Sequence, residues 1–195
     1  MQGFKDDQLR YLFLEDVDEK VLGAQLKAYV MEARKLGANT SLVVFTRLKK
    51  IESIEHYHAK FWGILHRLVE NDDISWPEKI PLEISDNHWE FCYAGEPIFV
   101  VCNTPAHVFR QSRRSSVFTL LFQPRWVFDN ILGTPEKASK AFSKVRDRLE
   151  CFDAIPVSPD LGQYGVENVL ESNQYFLNDE NEAIKCPFLR LGSKP

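Results

Sequence analysis

The stretch Trp89–Cys102, WEFCYAGEPIFVVC, decides how this chain folds. Two runs rich in aromatic and β-branched residues, Trp89–Tyr93 and Ile98–Cys102, flank Gly95–Glu96–Pro97. Such runs suit a pleated, half-buried surface, and the residues between them suit a turn, so the segment predicts a hairpin. Another apolar run, Val117–Phe122, follows it. Upstream, Tyr11–Leu14 reads as a short strand, and Ser41–Thr46 (SLVVFT) as a buried one.

Helical periodicity surrounds these runs. Leu22, Leu26, Tyr29, Ala33 and Leu36 recur at spacings of four and three, a single apolar stripe that Asp18 can cap and Gly37 can stop. Ser53 opens a second helix ending near Asn71, with Tyr57, Phe61, Ile64, Leu65 and Leu68 on its core face. His58, Trp62 and His66 share a neighbouring face. Pro135–Cys151 predicts a third helix, with Phe142, Val145 and Leu149 on its apolar side. Beyond Asp153 the chain is rich in Pro, Gly and Asn. Strands in adjacent runs flanked by helices, rather than in strict alternation, predict an α+β fold: helices packed on a largely antiparallel sheet in a single compact domain spanning residues 1–195.

Composition agrees with one domain. The 195 residues are 44% hydrophobic and 12% aromatic, enough to bury a core. Lys plus Arg is 24 against 28 Asp plus Glu, a net charge of −4, which argues against a globally basic nucleic-acid binder. No stretch approaches the roughly 18 apolar residues of a membrane span. Met1–Arg10 is polar and lacks a secretory pattern, and Cys92, Cys102, Cys151 and Cys186 form no CxxC pair. A cytoplasmic protein with reduced thiols is the expectation.

Phosphate-loop, dinucleotide, zincin and nucleophile-elbow motifs are all absent. Five histidines remain. His56 and His58 lie two apart on a helix and make a poor metal pair. His66 reads as a boundary residue and His88 as a surface one. His107 stands directly after an apolar strand in TPAHVFR, and Arg110, Arg113 and Arg114 follow within one short segment. An imidazole among apolar groups with guanidiniums at the rim would suit a porphyrin iron and its propionates. The simpler reading of the spacing is a hydrogen-bonded loop histidine beside a solvated basic face. The guanidinium cluster itself suits a small anionic ligand or a cofactor carboxylate.

Several ordered segments then resemble the YqcI/YcgG family. These are FWGILHRLVEND (Phe61–Asp72), FCYAGEPIFVV (Phe91–Val101), TPAHVFRQSRR (Thr104–Arg114) and LFQPRWVFDNI (Leu121–Ile131). VRDRLECFD (Val145–Asp153), PDLGQYG (Pro159–Gly165), NQYFLND (Asn173–Asp179) and KCPF (Lys185–Phe188) complete the series. No single piece is specific; the ordered set is. The resemblance implies a haem-dependent N-oxygenase that hydroxylates a nitrogen of an arginine-like amino acid. It implies haem b as cofactor, His107 as its axial ligand, and Arg110, Arg113 and Arg114 as partners of the propionates. Trp62, Trp89, Phe99, Phe118 and Phe122 would form apolar walls, and Asp72 or Asp153 would hold the substrate cation. A small cationic amino acid is the implied partner and a homodimer is left open; composition argues against a membrane partner and leaves nucleic acid as a weaker option through Arg110–Arg125. The alternatives are a haem-binding or sensor module without turnover, and a cofactor-free domain for small anions or protein contacts. Relatives carry a longer N-terminal region with an FPC-type motif. If that region covers the cofactor, binding here would be weaker.

Overall fold

In the computed structural model, which describes residues 2–47 and 49–181, strands and helices alternate only at the start of the chain. The strands are β1 (Leu9–Leu14), β2 (Ser41–Thr46), β3 (Cys92–Tyr93), β4 (Glu96–Asn103) and β5 (Thr119–Pro124). They form one sheet in the order β1-β2-β5-β4-β3. β1 and β2 are parallel and every other neighbour is antiparallel, so the fold is α+β. A parallel pair needs a crossover, and α2 (Glu19–Leu36) supplies it. A one-turn helix, α1 (Gln2–Lys5), precedes β1.

Local chemistry sets the helix ends. The Asp18 carboxylate accepts the backbone N–H of Lys20 and Val21 at the start of α2, and Gly37, at φ 128°, ends it. α3 (Ile54–Glu70) starts on Ser53, whose hydroxyl accepts from the His56 N–H. Its predicted core face is buried, and so are His58 and Trp62 beside it. Alternation along the strands sends Leu42, Val44, Ile98, Val100, Leu120 and Phe122 into one core with Leu22, Leu26, Phe61, Leu65 and Leu68 of α2 and α3.

The second face of the sheet is covered unevenly. Over β4 and β5 lie α4 (Arg125–Leu132), α5 (Pro135–Phe152) and α6 (Glu171–Tyr175). Near β1 the face is open, with Phe13 exposed and stacked on Phe45 at 5.4 Å between centroids.

The hairpin is present, with a shorter first strand and a longer second strand than predicted, and Glu96 and Pro97 belong to the second strand rather than to the turn. Its turn is Ala94–Gly95, both with positive φ, as a two-residue type I′ connection demands. The first strand holds only Cys92–Tyr93, because the Phe91 N–H leaves the ladder and is accepted by the Tyr175 hydroxyl at 3.0 Å. The last strand starts two residues later than the apolar run. α4 and α6 were not legible from periodicity, being too short to show a stripe. No helix among the described residues is long and apolar enough to cross a membrane.

Candidate functional site

The loop after β4 clamps a distant segment of chain. His107 is fully buried: its Nε2–H donates to the Leu177 carbonyl at 2.8 Å, and its Nδ1 accepts from the Thr104 hydroxyl at 2.9 Å. The carbonyl can only accept, which fixes this tautomer. Burial holds the imidazole below its ordinary pKa, so it is neutral at pH 7. Asp179 accepts the backbone N–H groups of Val108, Phe109 and Arg110, and Arg110 donates from Nε to the Asn178 carbonyl and from Nη2 to Asn181 Oδ1, both at 2.6 Å. Histidine and arginine together therefore fasten residues 177–181.

An axial ligand needs a ring lone pair aimed into open space. Neither His107 nitrogen has one, and the ring packs on Phe176 at 5.6 Å, so in this arrangement His107 does not fit a porphyrin iron. Arg110, 1% exposed, lies 3.9 Å from the Asp153 carboxylate and is committed to the clamp rather than to a rim. Arg114 is exposed. Of the four residues, Arg113 alone lines the cavity beneath α4 and α5. Among the described residues no group of three or more His, Cys, Asp or Glu could hold a metal ion; Cys186 lies outside them.

That cavity, about 670 Å³, opens between the second face of the sheet and α4, α5 and the loop through Tyr164. Its apolar walls include Phe99 and Val101 of β4, Phe128 of α4, and Phe142 and Val145 of α5. This explains why the predicted apolar side of α5 is only partly covered: Val145 is 47% exposed because it borders the cavity. Of the five predicted wall residues, only Phe99 lines it; Trp62, Trp89, Phe118 and Phe122 are buried in the core.

Charged groups converge on the same space. Arg125 donates from Nε to Glu90 at 2.6 Å, pairs through Nη2 with Glu171, and stacks on the Tyr164 ring at 4.2 Å. Glu171 is also held by the Tyr175 hydroxyl at 2.8 Å. Burial pushes the Glu90 carboxyl up against the pull of Arg125. Two buried carboxylates thus share one guanidinium, and Glu171, Arg125 and Asp129 line the cavity. Arg113 also lines it, with a buried Nε that has no partner and an Nη2 only 3.4 Å from the Gln174 carbonyl. Burial, and then neighbouring Arg110, bring its pKa down to about 10.

Asp72 and Asp153, the expected holders of a substrate cation, are occupied in the fold. Asp72 accepts the Ile74 and Ala94 N–H groups, and Asp153 accepts from the Ser112 N–H and hydroxyl. Sequence reading missed Glu90, Glu171 and the functional placement of Arg125. A Glu in a short polar run carries no periodic signal, and its partner lies 46 residues away along the chain, the difference between positions 171 and 125.

An apolar cavity bordered by buried ion pairs on an α+β scaffold is the kind of geometry in which small-molecule sites are built. This chain belongs to the YqcI/YcgG family, whose sequence pattern matches residues 1–189. It is 40% identical to "Uncharacterized protein YqcI" of Bacillus subtilis (strain 168), over 97% of this chain and 78% of that protein. Identity to "Uncharacterized protein YcgG" of the same strain is 41%, over 97% and 79%. It is 34% identical to "Putative N(omega)-hydroxy-L-arginine synthase DcsA" of Streptomyces lavendulae, over 98% and 76%. No solved structure matches the chain.

Proposed function

We propose that this protein is an N-oxygenase acting on a cationic nitrogen of a small amino acid, bound in the cavity beneath α4 and α5. The carrying observation is that two buried carboxylates, Glu90 and Glu171, share the single guanidinium of Arg125 at the cavity wall. With both ionised, the trio carries one uncompensated negative charge in a poorly solvated place, which a ligand cation would neutralise. The relative named as an Nω-hydroxy-L-arginine synthase, although only putatively, supports a guanidine-bearing substrate.

In this reading Glu171 orients the cationic end. Phe99, Phe128 and Phe142 keep water from the reacting nitrogen. Arg125, held on Tyr164, fixes the carboxylate of Glu171. The overall change is N–H to N–OH: one oxygen atom of O₂ is inserted, the other leaves as water, and a reductant supplies two electrons with two protons. Haem b, implied by the family resemblance, would be the oxygen-activating group of this proposal, and none of the described residues is assigned as its ligand. Such a cofactor supplies the redox chemistry when bound, and the chain supplies binding and orientation.

The test incubates purified protein with haemin, O₂, a two-electron reductant and L-arginine or another basic amino acid. A product heavier by one oxygen is expected, with kcat/KM at least about tenfold lower in Glu171→Gln, equivalent to about 1.4 kcal/mol of transition-state binding. No product from any such substrate overturns the oxygenase. A second reading, a module that binds the amino acid without oxidising it, rests on the engaged nitrogens of His107. It predicts amino-acid binding with no oxygen-dependent product.

A further inference from the structure

Three arginines line the cavity, and their partners differ. Arg125 already faces two carboxylates, and Arg146 donates to the Leu161 carbonyl. Arg113 has no carboxylate partner among the described residues: its Nε is buried and unbonded, and its one hydrogen bond is long. Asp153, the carboxylate whose charge acts on Arg113 through space, accepts from Ser112 and lies 3.9 Å from Arg110. A half-buried guanidinium whose Nε–H is buried and unmet is costly, and Arg110 beside it adds repulsion. An anion entering the cavity would relieve both.

We infer that Arg113 is the receptor for the carboxylate of the ligand, so that the cavity selects a dipolar molecule, with its carboxylate on Arg113 and its cationic nitrogen toward Glu171. This rests on the reading of the cavity as the substrate site and adds the determinant of substrate class. The element that joins the two ends is α6. Its Gln174 carbonyl contacts Arg113, and Glu171, three residues earlier, lines the same cavity as Gln174. One rigid turn therefore sets the separation between the opposite charges. A ligand with only a cationic end satisfies half of the site and leaves Arg113 as it is.

Calorimetric titration of the purified protein compares L-arginine with agmatine, its decarboxylated counterpart, and with L-argininamide, in which the carboxylate is a neutral amide. L-Arginine is expected to bind at least about tenfold tighter than either, as a charge-assisted hydrogen bond to a half-buried guanidinium requires. Arg113→Gln should bring the three within about twofold, and Arg113→Lys should recover part of the preference. If Arg113→Gln does not fold cooperatively, the wild-type comparison and the lysine variant decide the matter. Equal binding of all three by the wild type, no binding of any, or a full preference retained in Arg113→Gln overturns the assignment. A haemin absorbance lost in Arg113→Gln with the amino-acid preference intact also overturns it, in favour of a cofactor carboxylate. A carboxylate preference without N-hydroxylated product keeps this assignment and removes only the oxygenase.

Discussion

An imidazole with both nitrogens engaged is a structural group, and the chemistry of His107 follows from that. His107 and His58 are both buried and both held below the ordinary value of 6.5, His58 to about 4, chiefly by desolvation. Each is neutral when folded; the His58 Nε2 accepts from the Trp62 indole N–H at 3.1 Å. As pH falls below about 6.5, the unfolded chain takes up protons that the folded chain refuses. Their contribution is therefore present above that pH and is lost as pH falls toward their folded values. Urea midpoints measured across pH 7 to about 4 should decline toward acid, and His107→Gln should flatten the decline while costing about 1–3 kcal/mol at pH 7. An unaltered slope in the variant would remove His107 from this account. Haemin added to wild type and to His107→Gln should give the same absorbance spectrum; a band lost only in the variant would restore the axial role. The TPAHVFR segment was conspicuous in the sequence because a lone histidine followed by arginines resembles a cofactor clasp. Its partners, the Leu177 and Asn178 carbonyls and the Asp179 carboxylate, lie about 70 residues downstream, beyond any local pattern.

Two elements hold the site together from opposite sides. The first is the strap at residues 177–181. Burial pushes the Asp179 carboxyl up, but the backbone N–H groups of Arg110, Val108 and Phe109 outweigh this and leave it below its ordinary value. Asp179→Asn keeps the shape and removes the charge that gathers those three donors, so a loss of about 1–3 kcal/mol is expected in urea unfolding, with faster proteolysis at the strap. The second is the α4–α6 junction. Arg125→Gln leaves two buried carboxylates without their cation and should destabilise by about 3–5 kcal/mol, whereas adding Glu90→Gln should recover much of that loss. Equal stability of the single and double variants would show that Glu90 does not depend on Arg125. Neither junction was readable beforehand. α4 and α6 have eight and five residues, and a stripe needs a window of about 11 residues or more to be recognised. The long helices α2 and α3 were readable to within a residue or two, because Asp18, Gly37 and Ser53 satisfy backbone groups locally.

Across the whole molecule, one side of the sheet makes stability and the other makes the site. The face under α2 and α3 is packed with side chains near zero exposure, whereas the face under α4 and α5 leaves the cavity. A ligand that occupies the cavity only in the folded state must raise the melting temperature: at 100 times its Kd it adds about 2.7 kcal/mol, which in a chain of this size is about 5–11 °C. A differential scanning measurement with L-arginine that shows no concentration-dependent rise would exclude the cavity as an L-arginine site. Periodicity, caps and turn residues determined the strands and long helices, and hence the fold class, because each depends on neighbours within a few positions of the chain. Only the tertiary structure decided that His107 and Arg110 are fasteners, that Arg113 is left without an anion, and that Glu90 and Glu171 meet over Arg125. Those outcomes depend on burial and on partners far apart in sequence, and whether a charge is satisfied or stranded is settled only when the distant segments pack.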